Sequence, residues 1–211
     1  MPLEGGGETA FGVAVRADSI RSLTAAGWQA LVDYGVRTAI DLRSDFDVAD
    51  DRPGDLPIEV IRIPVDGNQV PVVYEWPSMQ QAYAGFLDRF HREFASAVSL
   101  IARSDAPVVV HCLVGRDRTG LVSALSLRLA GVELAAIAAD HARSDDYLSP
   151  WWVPWHDDAR DQETRERRMR VTAMPDNAMA EVIADLDVRA YLLAGGATED
   201  DLDRLVLRLR G

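Results

Sequence analysis

The sequence contains no lysine: all 22 basic residues are arginine, against 34 aspartate and glutamate residues, and the formal net charge is −12. The missing lysines, with the many alanines, valines and aspartates, indicate a codon bias toward G and C rather than a function. An acidic protein is a poor general binder of nucleic acid, because that affinity comes mainly from cations placed against phosphates. We therefore expect no nucleic-acid partner, and any attraction for a phosphate must be local to its site.

Cysteine is almost absent as well, since Cys112 is the only one in the chain. A single cysteine excludes an internal disulfide and argues against a thiolate metal cluster. A lone cysteine is more often a small buried side chain than a nucleophile, so the residues around it decide its role.

Long apolar runs are missing too, and none approaches the roughly 18 residues that a membrane span requires. Residues Met1 to Ala10 are acidic and glycine-rich, unlike a secretory signal, which begins basic and continues apolar. The sequence thus predicts no membrane span and a cytoplasmic protein by default, with export that needs no such signal left open. Its 211 residues, 48% hydrophobic and 27% charged, predict a single domain over 1–211.

Strands alternate with helices over the first two thirds of the chain. Apolar and β-branched runs predict strands at Val36–Leu42, Ile58–Val65 and Pro107–His111. Helical spacing and caps predict helices at Ala25–Tyr34, Ser78–Arg103, Thr119–Leu129 and Glu133–Ala142. This alternation predicts an α/β fold with a mostly parallel central sheet flanked by helices, in which ligands bind beyond the carboxyl ends of the strands.

The composition changes after Tyr147, where three tryptophans, the first at Trp151 and the last at Trp155, precede a stretch dense in charge. Packing is the ordinary role of such a cluster. Its place beside a charged helical segment allows a second interpretation, a lid or insertion over 148–175. Beyond it, Asn177 to Leu209 predicts a helical C-terminal extension, interrupted at Gly195-Gly196 and with Thr198 capping the last helix.

The segment from His111 to Gly120 reads HCLVGRDRTG and joins a predicted strand to a predicted helix. A helix N-terminus and nearby cations lower the pKa of a thiol, and N–H groups that curl into a first helical turn form a cradle for an anion. Arg118, five residues beyond Cys112 in the loop, is able to grip two phosphate oxygens at once. The pattern therefore indicates a cysteine that attacks a phosphate.

The remaining loop residues are assigned to binding that phosphate. Gly115 lets the loop bend without a Cβ in the way of the anion, and the Thr119 hydroxyl is a candidate donor to the thiolate. The predicted phosphate-binding set is Leu113, Val114, Gly115, Arg116 and Thr119.

This loop resembles the signature of the protein tyrosine phosphatase superfamily, and especially of a bacterial branch with broad specificity, some members of which also act on phosphoinositides. Ala39 to Ser44 resembles the DLRS strand end of that branch. Asp140 to Ser144 resembles its DYALS segment, with His141 in place of tyrosine, and Tyr191 to Leu205 resembles its closing helices. The branch usually has lysine where this chain has Arg116, which keeps the charge and changes its geometry.

The resemblance implies a cysteine-dependent phosphatase fold and hydrolysis of phosphate monoesters through a cysteinyl-phosphate, without metal or other cofactor. The expected substrate is a phosphotyrosine protein, with dual or phosphoinositide specificity open, and a phosphate ion is the expected active-site ligand. The alternatives are a phosphoinositide or small-molecule phosphatase and a non-catalytic phosphate-binding module. The last would need the loss of Cys112 or Arg118, and neither is lost.

The oxygen that leaves phosphorus needs a proton, normally from a carboxylic acid. Asp117 lies within the loop, whose Asp-Arg-Thr ending is similar to that of the myotubularin lipid phosphatases, and this likeness implies that the acid resides there. Asp66 follows a predicted strand, the position from which many other tyrosine phosphatases bring their acid. Both candidates stay open, and Asp117 is preferred.

Residues at neighbouring strand ends are assigned supporting roles. His111 is expected to face away from the pocket, with its ring hydrogen-bonded to backbone, and to help hold the loop. Asp41 and Arg43 either brace the loop or form a salt bridge without a catalytic role. Arg16 and Arg116 are candidates for positive potential at the pocket rim.

Overall fold

The computed structural model of the protein describes residues 1–45, 47–48, 56–65, 76–173 and 177–211. Within these ranges, four parallel strands form one sheet in the spatial order first, fourth, second, third. The strands are β1 (Ala14–Ala17), β4 (Val108–His111), β2 (Thr38–Asp41) and β3 (Glu59–Arg62). The predicted α/β architecture with a parallel central sheet is confirmed.

Helices cover both faces of this sheet. In chain order they are α1 (Ala25–Asp33), α2 (Met79–Arg89), α3 (His91–Arg103), α4 (Asp117–Leu129), α5 (Leu134–Asp157), α6 (Gln162–Thr172), α7 (Ala178–Ala184), α8 (Val188–Ala194) and α9 (Glu199–Arg210). Because side chains alternate along a strand, Val109 packs with the α1 side, while Val108 and Val110 pack into the larger core on the opposite face.

Two of the predicted helices differ from the observed ones by more than two residues. The predicted helix Ser78–Arg103 is two helices, because Phe90 takes a non-helical backbone (φ −119°, ψ 30°) between α2 and α3. The predicted helix Glu133–Ala142 continues as α5 to Asp157, through Pro150 and Pro154. Prolines usually end a helix since they lack the N–H donor, but here the second half of α5 packs against α6.

The sequence predicted the C-terminal helices but missed the first strand. β1 was missed because Ala14–Ala17 is a short, half-exposed edge strand without an apolar run. The helical C-terminal extension is confirmed as α7, α8 and α9, with a break at Gly195–Gly196. Thr198 caps α9 through a reciprocal pair of hydrogen bonds with Asp201, as its sequence position indicates.

The sheet places its carboxyl ends at one edge. Ala17, His111 and Asp41 are Cα partners across β1, β4 and β2, so the residues that follow these strands meet there. Of the helices in the described ranges, none is both long enough and apolar enough to cross a membrane.

Candidate active site

The loop from Cys112 to Arg118 leaves the end of β4 and enters the first turn of α4. Gly115 has φ +71°, and a Cβ there would lie 2.6 Å from the Ala17 carbonyl oxygen at the end of β1. Only glycine fits this close approach. The Ser19 N–H donates to the Leu113 carbonyl oxygen (3.1 Å), which ties the other side of the loop to the residues after β1.

Cys112 and Arg118 line the same cavity, whose volume is about 650 Å³. Cys112 is 1% exposed, and Arg118 is 8% exposed. Leu113 and Val114 line this cavity as well, and Leu113 is 42% exposed. The structure therefore brings the two residues that the motif singles out to one cavity.

Arg118 is held by a carboxylate that sequence reasoning did not single out. Its Nη1 donates to Asp47 Oδ2 (2.6 Å) and to the Val65 carbonyl oxygen (3.4 Å). Ser44 and Asp47 exchange backbone-to-side-chain hydrogen bonds, which fix the carboxylate. Burial would raise the pKa of Asp47, but the Arg118 charge and these hydrogen bonds hold it below its ordinary value. Asp47 follows β2 and is 71 positions from Arg118 along the chain, so only the fold brings the two together.

Arg116 is completely buried and connects the loop to two helices. It donates to Asp117 Oδ1 through Nε (3.1 Å), to Asp145 on α5 (3.1 Å) and to the Val171 carbonyl oxygen on α6 (2.7 Å). Its guanidinium also lies 5.3 Å from the ring centroid of Trp152. Burial would lower the pKa of Arg116, but the carboxylates of Asp117 and Asp145 hold it above its usual value.

These contacts change the expected role of Arg116. It bridges the loop to α5 and α6 instead of standing at the pocket rim, and lysine lacks the planar fork that makes several such contacts together. The rim role of Arg16 differs in a similar way. Its guanidinium pairs with Asp140 and donates to the Ser144 hydroxyl (2.8 Å) and to the Gly115 carbonyl oxygen (3.2 Å), which supports the loop from outside.

Asp117 opens α4 and lines the cavity. Its Oδ1 accepts hydrogen bonds from the Tyr83 hydroxyl (2.7 Å) and from Arg116 Nε (3.1 Å). Burial would raise the pKa of Asp117, but the Arg116 charge and the Tyr83 hydrogen bond bring it below its ordinary value. The carboxyl is therefore ionised at neutral pH when no anion lies beside it.

The supporting residues form a buried cluster behind the loop. Arg43 Nη2 pairs with Asp41 Oδ2 at 2.8 Å, and Arg43 Nη1 donates to the Ser19 hydroxyl at 3.2 Å. His111 is fully buried, with Nδ1 3.3 Å from the Cys112 carbonyl oxygen and Nε2 3.8 Å from Asp41 Oδ1. Burial is the main reason why the pKa of His111 is lowered. The cluster touches the loop backbone, as a bracing role requires.

Of the two predicted site residues that remain, Thr119 lies within the described structure and Asp66 does not. The Thr119 Oγ1 is buried and has no hydrogen-bond partner among residues 1–45, 47–48, 56–65, 76–173 and 177–211. A buried hydroxyl without a partner is costly, so this oxygen is available for a group that enters the site. Asp66, the second candidate acid, lies outside the described residues.

One wall of the cavity is aromatic and comes from the second half of α5. It consists of Leu148, Trp151, Trp152, Pro154 and Trp155. Val171 of α6 adds to it, and α6 is held to α5 by His156 Nε2, which lies 2.9 Å from the Thr172 hydroxyl. The predicted lid over 148–175 thus contributes residues to the cavity, and its movement stays a prediction.

A metal centre would need several ligands close together. In the described ranges, no group of three or more histidine, cysteine, aspartate or glutamate side chains is arranged to hold a metal ion. Among the described residues that line the cavity, the cations are Arg116 and Arg118.

Comparison with known proteins gives a family and a set of relatives. A model of the tyrosine phosphatase family matches residues 1–211. A tyrosine-protein phosphatase from Nostoc commune is 33% identical over 148 residues, which cover 64% of this chain and 49% of that protein. The triple specificity protein phosphatase PtpB from Mycobacterium tuberculosis is 28% identical over 167 residues, 62% of this chain and 60% of that protein.

The chain thus spans about half to three fifths of these relatives. Among solved structures, P. aeruginosa TpbA in complex with phosphotyrosine is similar at 17% identity and a TM-score of 0.42, over 88% of this chain and 86% of that chain.

Proposed function

The chain belongs to the tyrosine phosphatase family, and from that premise we propose that it hydrolyses phosphate monoesters through a cysteinyl-phosphate on Cys112. The observation that carries the proposal is the meeting of Cys112 and Arg118 in one cavity, at the start of α4. A helix start offers free N–H groups to an anion, and Arg118 adds a fixed positive charge.

In the first step, the Cys112 thiolate attacks phosphorus, a P–S bond forms, and the P–O bond to the leaving group breaks. The loop N–H groups and Arg118 stabilise the charge on the transferring phosphoryl oxygens. The leaving oxygen takes a proton from a carboxylic acid. In the second step, water attacks the cysteinyl-phosphate, the P–S bond breaks and inorganic phosphate leaves. The hydroxyl of Thr119, which is unpaired within the described residues, would donate to the departing sulfur.

We propose Asp117 as the acid. In the free protein its pKa is below its ordinary value, so the proton must arrive with the substrate. A phosphate that binds beside Asp117 is a like charge, which raises the pKa of the carboxyl and opposes the effect of Arg116. A phosphate monoanion also brings a proton of its own. The acid form is therefore produced in the complex, where it is needed.

Substitution of Asp117 by asparagine should reveal the acid through its dependence on the leaving group. We expect a loss of about 100-fold on phenyl phosphate, whose phenoxide is a poor leaving group, because general acid catalysis contributes about that much. A dinitrophenyl phosphate, whose leaving group needs no proton, should lose less than about threefold. The measurement is kcat on both substrates.

Asp145→Asn is the matched control, since Asp145 is the other carboxylate on Arg116 and lies on α5. It should leave the ratio of the two rates unchanged. If Asp117→Asn slows both substrates equally, Asp117 is not the acid, and Asp66 becomes the candidate.

The substrate that we propose is a phosphotyrosine protein. The tryptophans of α5 line the cavity beside Cys112, and aromatic walls pack well on a phenyl ring. The likeness to a relative whose name includes triple specificity supports activity on more than one class of phosphate monoester.

A panel of matched substrates would test this preference. We expect kcat/KM for a phosphotyrosine peptide to exceed that for the same peptide with phosphoserine by about tenfold or more. Only the phosphotyrosine side chain has a phenyl ring that packs on the aromatic wall, and only its leaving group is a phenoxide. Soluble short-chain phosphoinositides complete the panel. A phosphoinositide kcat/KM above that for phosphotyrosine would make the lipid phosphatase the better description.

A further inference from the structure

A chain of two hydrogen bonds leads from Asp117 into the interior of the protein. The Tyr83 hydroxyl on α2 is fully buried and donates to Asp117 Oδ1 at 2.7 Å. The same hydroxyl lies 3.2 Å from Nε2 of His141 on α5. Sequence reasoning did not single out Tyr83, and it noted His141 only as a departure from the related DYALS segment.

The direction of the two hydrogen bonds follows from the number of protons. A tyrosine hydroxyl has one proton, and that of Tyr83 is used on the Asp117 carboxylate. Nε2 of His141 must then be the donor to the Tyr83 oxygen, so the ring carries its proton on Nε2. This agrees with a neutral imidazole, because burial lowers the pKa of His141 to about 4.

The two oxygens of Asp117 are not equivalent. Tyr83 and Arg116 both donate to Oδ1, whereas Oδ2 accepts no hydrogen bond from any residue in the described ranges. An oxygen that already accepts two hydrogen bonds is the poorer place for a proton. The acid proton therefore belongs on Oδ2.

We propose that Tyr83 and His141 are positioning residues for the acid step, which hold Oδ1 of Asp117 so that Oδ2 carries the proton toward the leaving oxygen. His141 acts through Tyr83, because its Nε2 lies at hydrogen-bond distance from that hydroxyl. The inference rests on the proposed function, in which Asp117 is the acid.

The packing around His141 leaves it little freedom to move. A Cβ at Gly120 on α4 would lie 2.9 Å from His141 Cδ2 and 3.2 Å from Met179 Cε on α7. His141 also contacts Tyr83 edge-on, with ring centroids 5.7 Å apart. The imidazole is thus buried against α2 and α4 and is able to fix the hydroxyl of Tyr83 in turn.

The charged groups that face this chain of hydrogen bonds come from several elements. Arg116 approaches from the loop, Arg16 from β1, and Asp145 from α5, while α7 contributes the apolar Met179. Arg116 opposes protonation of Asp117, and so does the Tyr83 hydrogen bond. Loss of the Tyr83 hydroxyl should therefore make Asp117 easier to protonate and less well oriented.

The test uses Tyr83→Phe, which removes one oxygen. We expect kcat on phenyl phosphate to fall about tenfold, while kcat on a dinitrophenyl phosphate stays within about twofold, since only the first reaction needs the acid. The basic limb of the kcat profile for phenyl phosphate, which reports the acid in the enzyme–substrate complex, should move to higher pH by about one pH unit, because a hydrogen bond that stabilised the carboxylate is lost. A residue with only a packing role would slow both substrates alike and leave the limb in place.

His141 provides a matched pair of variants. His141→Gln keeps a donor near the position of Nε2 and should stay within about twofold of wild type on both substrates, whereas His141→Leu should repeat the Tyr83→Phe pattern. The double variant Tyr83→Phe/His141→Leu should be no worse than Tyr83→Phe alone, because the two residues act in series.

The outcomes separate this inference from the proposed function. Equal losses on both substrates, or an unmoved basic limb in folded Tyr83→Phe, would overturn the positioning role, even if turnover still depends on Cys112. If His141→Leu does not fold, Tyr83→Phe and His141→Gln still test the positioning role. Turnover that survives in Cys112→Ser would instead contradict the proposed function.

Discussion

Replacement of Cys112 by serine is expected to reduce turnover of an aryl phosphate by about 10⁴-fold or more, with the fold and the phosphate site preserved. Serine has nearly the shape of cysteine, so the loop tied to Ala17 and Ser19 should remain intact. An alcohol at this position is a much weaker nucleophile than a thiolate, and no other cysteine exists to replace it. The measurement is steady-state turnover with and without a chelator.

Two controls accompany this variant. Inorganic phosphate should still raise the Tm of Cys112→Ser, because the loop N–H groups and Arg118 remain. The chelator should leave the wild-type rate unchanged. Turnover that survives in Cys112→Ser, or that the chelator abolishes in the wild type, would contradict a cysteinyl-phosphate mechanism.

Substitution of Arg118 by lysine should be the second most damaging change, with a loss of about 10³-fold in kcat/KM. Lysine keeps the charge but not the planar fork that holds two phosphoryl oxygens at once. In the structure, Nη1 of Arg118 is bound to Asp47, so the guanidinium is already oriented by a carboxylate before a phosphate arrives. The measurement is kcat and KM on a generic aryl phosphate.

Arg143→Lys is the matched control for this prediction. Arg143 is exposed and lines a neighbouring cavity that shares Val114 with the active site. It therefore lies near the active site without lining the cavity that contains Cys112. Its rate should stay within about twofold of wild type. An Arg118→Lys variant that performs as well as Arg143→Lys would show that Arg118 does not stabilise the reaction.

Local chemistry explains why parts of the fold were predictable. Val108 to Val110 is an unbroken β-branched run that leads into the motif at His111, so both the buried strand β4 and the loop position followed from neighbouring residues. The cap at Thr198 is equally local, because a cap involves residues three positions apart. The break at Phe90 and the length of α5 were missed, since they depend on which helices pack against them.

Non-local contacts decided the site around the motif. Asp47 is separated from Arg118 by 71 positions, and Tyr83 from Asp117 by 34, so no spacing rule connects them. Arg116 resembles a rim cation when only its neighbours in sequence are considered. Its burial follows from α5 and α6, which cover it and supply Asp145 and the Val171 carbonyl.

The sequence alone determined the proposed nucleophile, the arginine and the loop between them, because those residues lie within one short segment whose geometry depends on a strand, a glycine and a helix start. The tertiary structure decided which groups surround that loop: the carboxylate on Arg118, the bridge made by Arg116, and the two hydrogen bonds behind Asp117. Such contacts join residues that are distant along the chain, and they form only when the sheet and the helices have packed.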